Sequence, residues 1–241
     1  MPENPTTALI KTVQSPALAR VSNQLALTDK LLLRPEEPFL IPYRVSKNGV
    51  HYDQWGYCDS NKKIHIGCNF FEARPFRQGR AWVRDTDGWN CIDRKGNYSF
   101  ESTYASASDF SEGFAAVAIR TGTTDKKWGI IDSNGNQITE LQYDEIGSYS
   151  NGLVKVKRGN KWGYLDKNGE IAIPVIFDEV DSFYEELAAV KLNGIYRFID
   201  RYGETALPFS CSSATSFSES LAAVSSDGHK WGFINYKVMA Q

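Results

Sequence analysis

The sequence predicts an all-β repeat protein, in which six three-stranded antiparallel meanders form a propeller-like ring after an N-terminal α-helix. Aromatic residues recur at separations of 34, 39, 34, 34 and 35 residues, and a short polar turn follows most of them. A fixed period of this length is typical of repeat architectures. The recurring residues are Trp55, Trp89, Trp128, Trp162, Tyr196 and Trp231.

The clearest unit predicts a meander of three strands. Leu187–Leu192 is apolar and β-prone, and Asn193-Gly194 is the kind of two-residue turn that accepts positive φ at both positions. Ile195–Asp200 is then the second strand. Arg201–Gly203 is a second turn with a glycine at its end, and Glu204–Leu207 is the third strand.

Six such units fit between residue 37 and the end of the chain. The first begins with a predicted strand at Phe39–Val45, and the last ends with one at Tyr236–Gln241. Neither terminal unit is more polar than the inner ones, as the ends of an open array would be. This favours a closed ring or capping by the helix, with an open β-solenoid as the alternative. The main insertion, Arg120–Lys126, is polar and predicts an exposed loop.

A second aromatic residue lies in the link between units, 21 residues after each of the first five tryptophan positions. A residue present in every unit is first a packing residue, so both aromatic sets are predicted to form the repeat core. The alternative is that the tryptophans form a platform on which ligands stack. The link residues are Phe76, Phe110, Tyr149, Phe183 and Phe217.

Trp82 departs from the repeat pattern. The other units have alanine or lysine at its position, at Ala116, Lys155, Ala189 and Ala223. Strand alternation places it on the face opposite to Val83. Trp82 is therefore predicted to be a surface residue that contacts a partner.

The segment before the repeats predicts a helix over residues 16–33. Ser15 is a favourable N-cap and Pro16 suits the first helical position. We expect residues 1–36 to be a helical segment with a linker and 37–241 to be the repeat domain. The apolar side of the helix either caps the repeats or docks on a protein partner. The residues predicted to form that side are Leu18, Val21, Leu25 and Leu32.

Composition argues against several kinds of partner and location. The formal net charge of −2 gives no strong field for nucleic acid or an anionic membrane. No stretch is apolar enough to span a bilayer, and the N-terminus lacks the pattern of a signal peptide. Four scattered cysteines without a CxxC pair suggest a reducing compartment, so a cytoplasmic location is expected.

No pattern of reactive side chains predicts catalysis, a cofactor or a metal site. The spacing of His51, His65 and His229 does not indicate that ligands or catalytic partners come together. Asp-x-Asn-Gly at Asp132 and Asp166 allows a calcium site, but the acidic positions of such a loop are missing. A hairpin turn is the simpler interpretation, and the protein is not expected to be an enzyme.

The repeated strings resemble the bacterial WG-containing repeat over about residues 40–241. The most similar unit is KWGYLDKNGEIAIPVIFDEVDSFYEELAAV, from Lys161 to Val190. Two units depart from the pattern, with Asn90 in place of glycine and Tyr196-Arg197 in place of Trp-Gly. The resemblance implies binding rather than catalysis and transfers no catalytic residues. The expected function is a protein–protein interaction scaffold or adaptor in a bacterial cytoplasm, with small-ligand or glycan binding by the repeat face as the alternative.

Overall fold

The computed structural model describes residues 38–46 and 54–235. Contacts within the chain divide it into one part at Met1–Phe39 and a second at Leu40–Gln241. The predicted helix lies outside the described residues, and so do Leu18, Val21, Leu25 and Leu32. Every described strand belongs to the second part.

The described residues form nineteen strands and no helix. Six antiparallel sheets result, of which five have three strands and one, β10–β13, has four. The strands are β1 Ile41–Val45, β2 Gln54–Cys58, β3 Ile64–Phe70, β4 Glu72–Ala73, β5 Arg80–Arg84, β6 Trp89–Asp93, β7 Ser106–Ala107, β8 Phe114–Arg120, β9 Lys126–Asp132, β10 Glu145–Ile146, β11 Val154–Arg158, β12 Lys161–Leu165, β13 Ile171–Phe177, β14 Glu179–Val180, β15 Ala188–Leu192, β16 Ile195–Ile199, β17 Ser213–Ala214, β18 Leu221–Ser225 and β19 Trp231–Asn235.

A hairpin forms the centre of every sheet, and its second strand carries the tryptophan position. In the fifth sheet β15 and β16 pair antiparallel, with Lys191 opposite Tyr196. Asn193 and Gly194 both have positive φ, as the predicted two-residue turn requires. The insertion also behaves as predicted, because residues 121–125 form an exposed loop between β8 and β9.

The predicted third strand is regular in only two sheets, as β3 and β13. These two strands have seven residues each and are rich in isoleucine and phenylalanine, which favour strands. In the second, third and fifth sheets the segment after the hairpin is more polar and pairs only through isolated bridges. The predicted strand Glu204–Leu207, for example, is one bridge between Ile199 and Thr205. The last predicted strand, Tyr236–Gln241, lies outside the described residues.

Sequence reasoning missed a short strand in each link. A two-residue strand such as β14 pairs with the first hairpin strand of the next unit, and a tight turn joins them. Glu185 and Glu186 form this turn in the fifth sheet, with φ values of 50° and 71°. The link is therefore a hairpin of its own, and it belongs to the sheet that follows it.

The glycine after the tryptophan allows close packing inside a sheet. A Cβ atom on Gly163 would lie 2.7 Å from the carbonyl oxygens of both Ile173 and Pro174. Only a residue without a side chain permits this approach. In the second sheet Asn90 replaces the glycine, and its side chain is buried. Its amide donates to Asp85 at 2.8 Å and its oxygen accepts from Thr103 at 2.7 Å.

The hydrophobic core is divided into clusters that lie between neighbouring sheets. One cluster joins Tyr164 and Ile173 of the fourth sheet to Ala188 and Val190 of the fifth. The four cysteines are buried and form no disulfide, in agreement with their interpretation as small apolar residues; they are Cys58, Cys68, Cys91 and Cys211. Each sheet thus buries its apolar surface against the next sheet along the chain.

Candidate interaction surface

One aromatic contact joins each sheet to the next. Tyr164 of β12 lies 4.9 Å from Phe183 of the following link, measured between ring centroids. The Tyr164 hydroxyl also donates to the carbonyl of Asp181 at 2.6 Å. Every link aromatic predicted from the sequence makes such a contact with the preceding unit. The pairs are Tyr57–Phe76, Trp82–Phe110, Phe114–Tyr149, Tyr164–Phe183 and Phe198–Phe217.

The prediction that Trp82 faces outward is wrong. Only 1% of its surface is exposed, and its ring stacks on Phe110 at 5.8 Å. The cause lies on the neighbouring strand, where Cys91 is opposite Trp82. Cys91 occupies the position that Tyr57 and Tyr164 fill in other units, and it is too small to reach the link. Trp82 fills that space from the adjacent strand, so it is a core residue.

The tryptophan positions are less buried than the link positions. Trp89 is buried, whereas Trp55, Trp128, Trp162 and Tyr196 are half-buried. Among the link residues Phe76 is half-buried, and the others are buried.

The prediction that Trp231 belongs to the core is wrong, because 54% of its surface is exposed. Among the described residues, no strand pairs with β19 on the side away from β18.

A row of charged and aromatic side chains crosses three of the sheets in the same register. In the fifth sheet Glu179 lies opposite Lys191, and Lys191 lies opposite Tyr196. The second and fourth sheets repeat this order of acid, base and aromatic ring. We call these nine residues the charged–aromatic row: Glu72, Arg84, Trp89, Glu145, Lys157, Trp162, Glu179, Lys191 and Tyr196.

Cations lie against the aromatic rings of this row, of which Trp162 and Tyr196 are half-buried and Trp89 is buried. The Lys191 ammonium is 5.2 Å from the centre of the Tyr196 ring, and the Lys157 ammonium is 5.4 Å from that of Trp162. Over Trp89 the cation is Arg74, at 4.3 Å. Such contacts stabilise a cation above an aromatic face.

Hydrogen bonds hold Glu179, the acidic member of the row in the fifth sheet, in place. Lys191 donates to Glu179 at 2.8 Å, and the Tyr196 hydroxyl donates to the same carboxylate at 2.5 Å. These two bonds lower the pKa of Glu179, that of Lys191 having the larger effect. Burial and the Glu179 carboxylate raise the pKa of Tyr196, which therefore remains protonated at neutral pH. In the fifth sheet the row therefore contains an ionised carboxylate that two hydrogen bonds hold in place.

The link turns form a second set of contacts between sheets, at the other end of the hairpin. The Glu185 carboxylate accepts the backbone N–H of Ser220 at 2.9 Å, one unit further along. Glu112 accepts from Gly152 at 3.2 Å in the same way. Gln78 accepts from Gly113 at 2.9 Å in the second unit. These bonds fix the spacing of neighbouring link turns.

A cavity of about 520 Å³ lies beside the second-sheet part of the charged–aromatic row. Trp89 and Thr103 line it together with charged residues of both signs. The charged residues are Arg84, Asp85, Asp87 and Arg120.

The Asp-x-Asn-Gly segments form hairpin turns, as the simpler interpretation predicted. The Asp132 carboxylate accepts the backbone N–H groups of Asn134 and Asn136, each at 2.8 Å, and Gly135 has a φ of 85°. Over residues 38–46 and 54–235, no group of three or more histidine, cysteine or acidic residues is placed to hold a metal ion. His65 is an exposed strand residue that lies 3.1 Å from Asp59, and His229 is exposed. In the described part of the chain, no helix could cross a membrane.

The model of one protein family matches most of the repeat region. The family is described as WG containing repeat, and its model matches five successive segments, residues 55–89, 89–120, 128–162, 162–194 and 196–228. The chain belongs to the WG-repeat family. No curated protein matches its sequence.

Solved structures resemble this WG-repeat protein only distantly. "KlHsv2 with loop 6CD replaced by a Gly-Ser linker" has 13% identity and a TM-score of 0.44, over 78% of this chain and 72% of that one. "Crystal structure of the eukaryotic initiation factor" has 8% identity and a TM-score of 0.47, over 71% of this chain and 51% of that one. "AfRom2 CNH domain" has 6% identity and a TM-score of 0.39, over 83% and 87%. These values assign no function.

Sequence reasoning missed the charged–aromatic row, although its spacing was visible. An acidic residue, a basic residue 12 positions later and an aromatic ring 5 positions after that recur in three units of the WG-repeat region. One link turn was also predictable from the sequence, because the dipeptide Asn151-Gly152 favours two successive positive φ angles.

Proposed function

We propose that this WG-repeat protein is a non-enzymatic scaffold or adaptor that binds a protein partner in a bacterial cytoplasm through the charged–aromatic row. One observation carries the proposal: three sheets repeat the same ordered set of an acid, a base and an aromatic ring, and two of the rings, Trp162 and Tyr196, are half-exposed. Protein interfaces are enriched in tryptophan, tyrosine and arginine. A repeat array displays such groups at regular intervals over an extended surface.

The chemistry of the row favours a protein partner over a nucleic acid. The row contains three acidic residues beside its three basic ones, and the chain has a net charge of −2. Nucleic-acid binding depends on neutralising phosphates with an excess of lysine and arginine. Mixed charges fit a surface that carries both signs, such as a folded protein. A propeller-like order of the sheets, in which each packs on the next, is part of this proposal.

Charge reversal in the row tests the proposal. Tagged wild-type protein and the double variant Lys157→Glu/Lys191→Glu are compared for the proteins that they retain from a lysate of the source cell. The control is Lys63→Glu/Lys95→Glu, which makes the same charge change at two exposed lysines outside the row. We expect a partner retained by wild type and control and lost by the row variant. Equal retention by all three proteins would overturn the proposed binding surface.

The N-terminal segment has a separate test. A chain that begins at Glu37 lacks the predicted helix but keeps the row. If the same partner is retained, the repeats bind it and the segment acts as a cap. If the partner is lost while the shortened chain still unfolds cooperatively, the segment is the docking element.

The cavity beside Trp89 supports a second candidate, the binding of a small polar ligand or glycan. An aromatic wall with charged and hydroxyl groups around it is the usual composition of such sites. The tryptophan fluorescence of wild type and Trp89→Ala, followed during titration with a panel of oligosaccharides, tests it. A saturable change in wild type only would support this function, and no change with any sugar would count against it.

A further inference from the structure

The five junctions between sheets share one arrangement. The residue two positions after the tryptophan position packs against two residues on the first hairpin strand of the next sheet. At the fourth junction Tyr164 packs with Ala188 and Val190. The other junctions place Tyr57 with Ala81 and Val83, Cys91 with Ala115 and Val117, Ile130 with Val154 and Val156, and Phe198 with Ala222 and Val224.

The last sheet presents one half of this arrangement, and no described strand covers it. Phe233 lies two residues after Trp231, so it is the equivalent of Tyr164 and Phe198. Those two side chains are fully buried, whereas 76% of the Phe233 surface is exposed. Leu221 on the neighbouring strand is also exposed. We call this surface the last-sheet face.

The first sheet carries the other half of the junction arrangement, which is the pair of residues on the first hairpin strand. Ile41 and Tyr43 pair with β2 in the register in which Ala81 and Val83 pair with β6. Ala81 and Val83 are buried by the preceding sheet, but Ile41 is 40% exposed and Tyr43 is 37% exposed. This is the first-sheet face. Tyr43 is larger than the valine of the other sheets and supplies an aromatic ring.

The two faces are complementary, and in residues 38–46 and 54–235 neither covers the other within one chain. Extensive contacts between described strands of different sheets run between sheets that follow each other along the chain, as from β2 to β4 and from β16 to β17. We propose that the last-sheet face of one copy packs on the first-sheet face of a second copy and forms one more junction of the same kind. The occupant of each end face is thus a second copy of this chain.

The geometry of this association follows from the difference between its two faces. Because a face of one kind meets a face of the other kind, the contact is head-to-tail and not two-fold symmetric. Such contacts build closed rings where the rotation closes and linear chains where it does not. The association uses the ends of the array and leaves the charged–aromatic row free, so it goes beyond the proposed function and is tested separately.

Sedimentation velocity over a concentration series tests the association with the full chain. We expect wild type to sediment as the 27.1 kDa monomer at low concentration and as larger species at high concentration. Phe233→Asp and Tyr43→Asp each place a charge in one face and should weaken association about tenfold or more. Tyr202→Asp is the control, since Tyr202 is 77% exposed in a turn and outside both faces. Circular dichroism establishes that each variant folds, and Ile41→Lys replaces Tyr43→Asp if that variant does not.

A mixture of the two end variants gives the decisive result. The Phe233→Asp chain keeps a functional first-sheet face, and the Tyr43→Asp chain keeps a functional last-sheet face. Each variant alone should be monomeric, and an equimolar mixture should form a dimer and nothing larger. Wild type that remains monomeric at every concentration would overturn the proposal, because the faces would then be covered within one chain. Association that both end variants preserve would overturn it as well, because the contact would lie elsewhere.

Discussion

The rings of Trp82 and Phe110 lie parallel, 5.8 Å apart and at an angle of 5°, across the junction of the second and third sheets. Trp82 is on β5, whereas the equivalent ring at the fourth junction is on the adjacent strand of its hairpin, at Tyr164. The junction therefore requires an aromatic contact but accepts it from either strand of the hairpin. This explains how Cys91 is tolerated at a position that is aromatic in other units.

Replacing Trp82 should destabilise the protein strongly. Trp82→Ala removes the buried ring that fills the second junction, and we expect the free energy of unfolding to fall by about 3–5 kcal/mol. Trp231→Ala is the matched control, because Trp231 is more than half exposed and its loss should cost less than about 1 kcal/mol. Guanidinium unfolding followed by circular dichroism measures both values. Equal effects would mean that the ring of Trp82 is not buried at the junction.

A methyl group on Gly163 should also be destabilising. The added Cβ atom would lie 2.7 Å from the carbonyl oxygen of Ile173, so the paired strands would have to separate. We expect Gly163→Ala to cost about 1–3 kcal/mol. Gly232 holds the same repeat position, but a Cβ atom there would meet nothing within 4 Å. Gly232→Ala should therefore leave the unfolding midpoint nearly unchanged, and a large loss there would refute the steric explanation.

One link turn should accept a stabilising substitution. Glu186 has a φ of 71°, a left-handed conformation that strains any residue with a Cβ atom, and the equivalent Gly152 has a φ of 79°. Glu186→Gly relieves this strain and should raise the free energy of unfolding by about 0.5–1 kcal/mol. The reverse change, Gly152→Ala, should lower it by about 1 kcal/mol. Thermal melts of both variants show whether each is more or less stable than wild type. A destabilised Glu186→Gly would contradict this explanation of the turn.

Acidification should weaken the contacts that Asp144 makes. A 2.5 Å hydrogen bond from Lys127, together with one from the N–H of Gly159, lowers the pKa of Asp144 in the folded protein. A lowered folded-state pKa adds stability above the unfolded value of about 3.9, and this contribution disappears as the pH falls through the folded value. Because the pair is at the surface, the effect should be small. Between pH 5 and 3, the unfolding midpoint of Asp144→Asn should change less with pH than that of wild type. The same pH dependence in both proteins would exclude the effect.

The sequence was sufficient to predict the repeats but not every surface residue. The period and the Asn-Gly and Asp-x-x-Gly turns correctly predicted antiparallel hairpins, because these signals are local. The outward position of Trp82 was predicted wrongly, since strand alternation does not reveal that both faces of an inner sheet are covered. The burial of Trp231 was predicted wrongly for a related reason. The repeat pattern does not show that, among the described strands, β19 has a neighbour on one side only. Long-range packing decides both positions.

We expect one aromatic contact per junction to hold neighbouring sheets in a fixed arrangement, so that the repeats present a single rigid surface. A double-mutant cycle on Tyr164 and Phe183 measures the strength of this contact. Tyr164→Phe is the control, because it removes the hydroxyl that donates to Asp181 and keeps the ring. The unfolding free energies of Tyr164→Ala, Phe183→Ala and the double variant should reveal a coupling of about 0.5–1.5 kcal/mol. Additive effects, with no coupling between the two rings, would contradict this expectation.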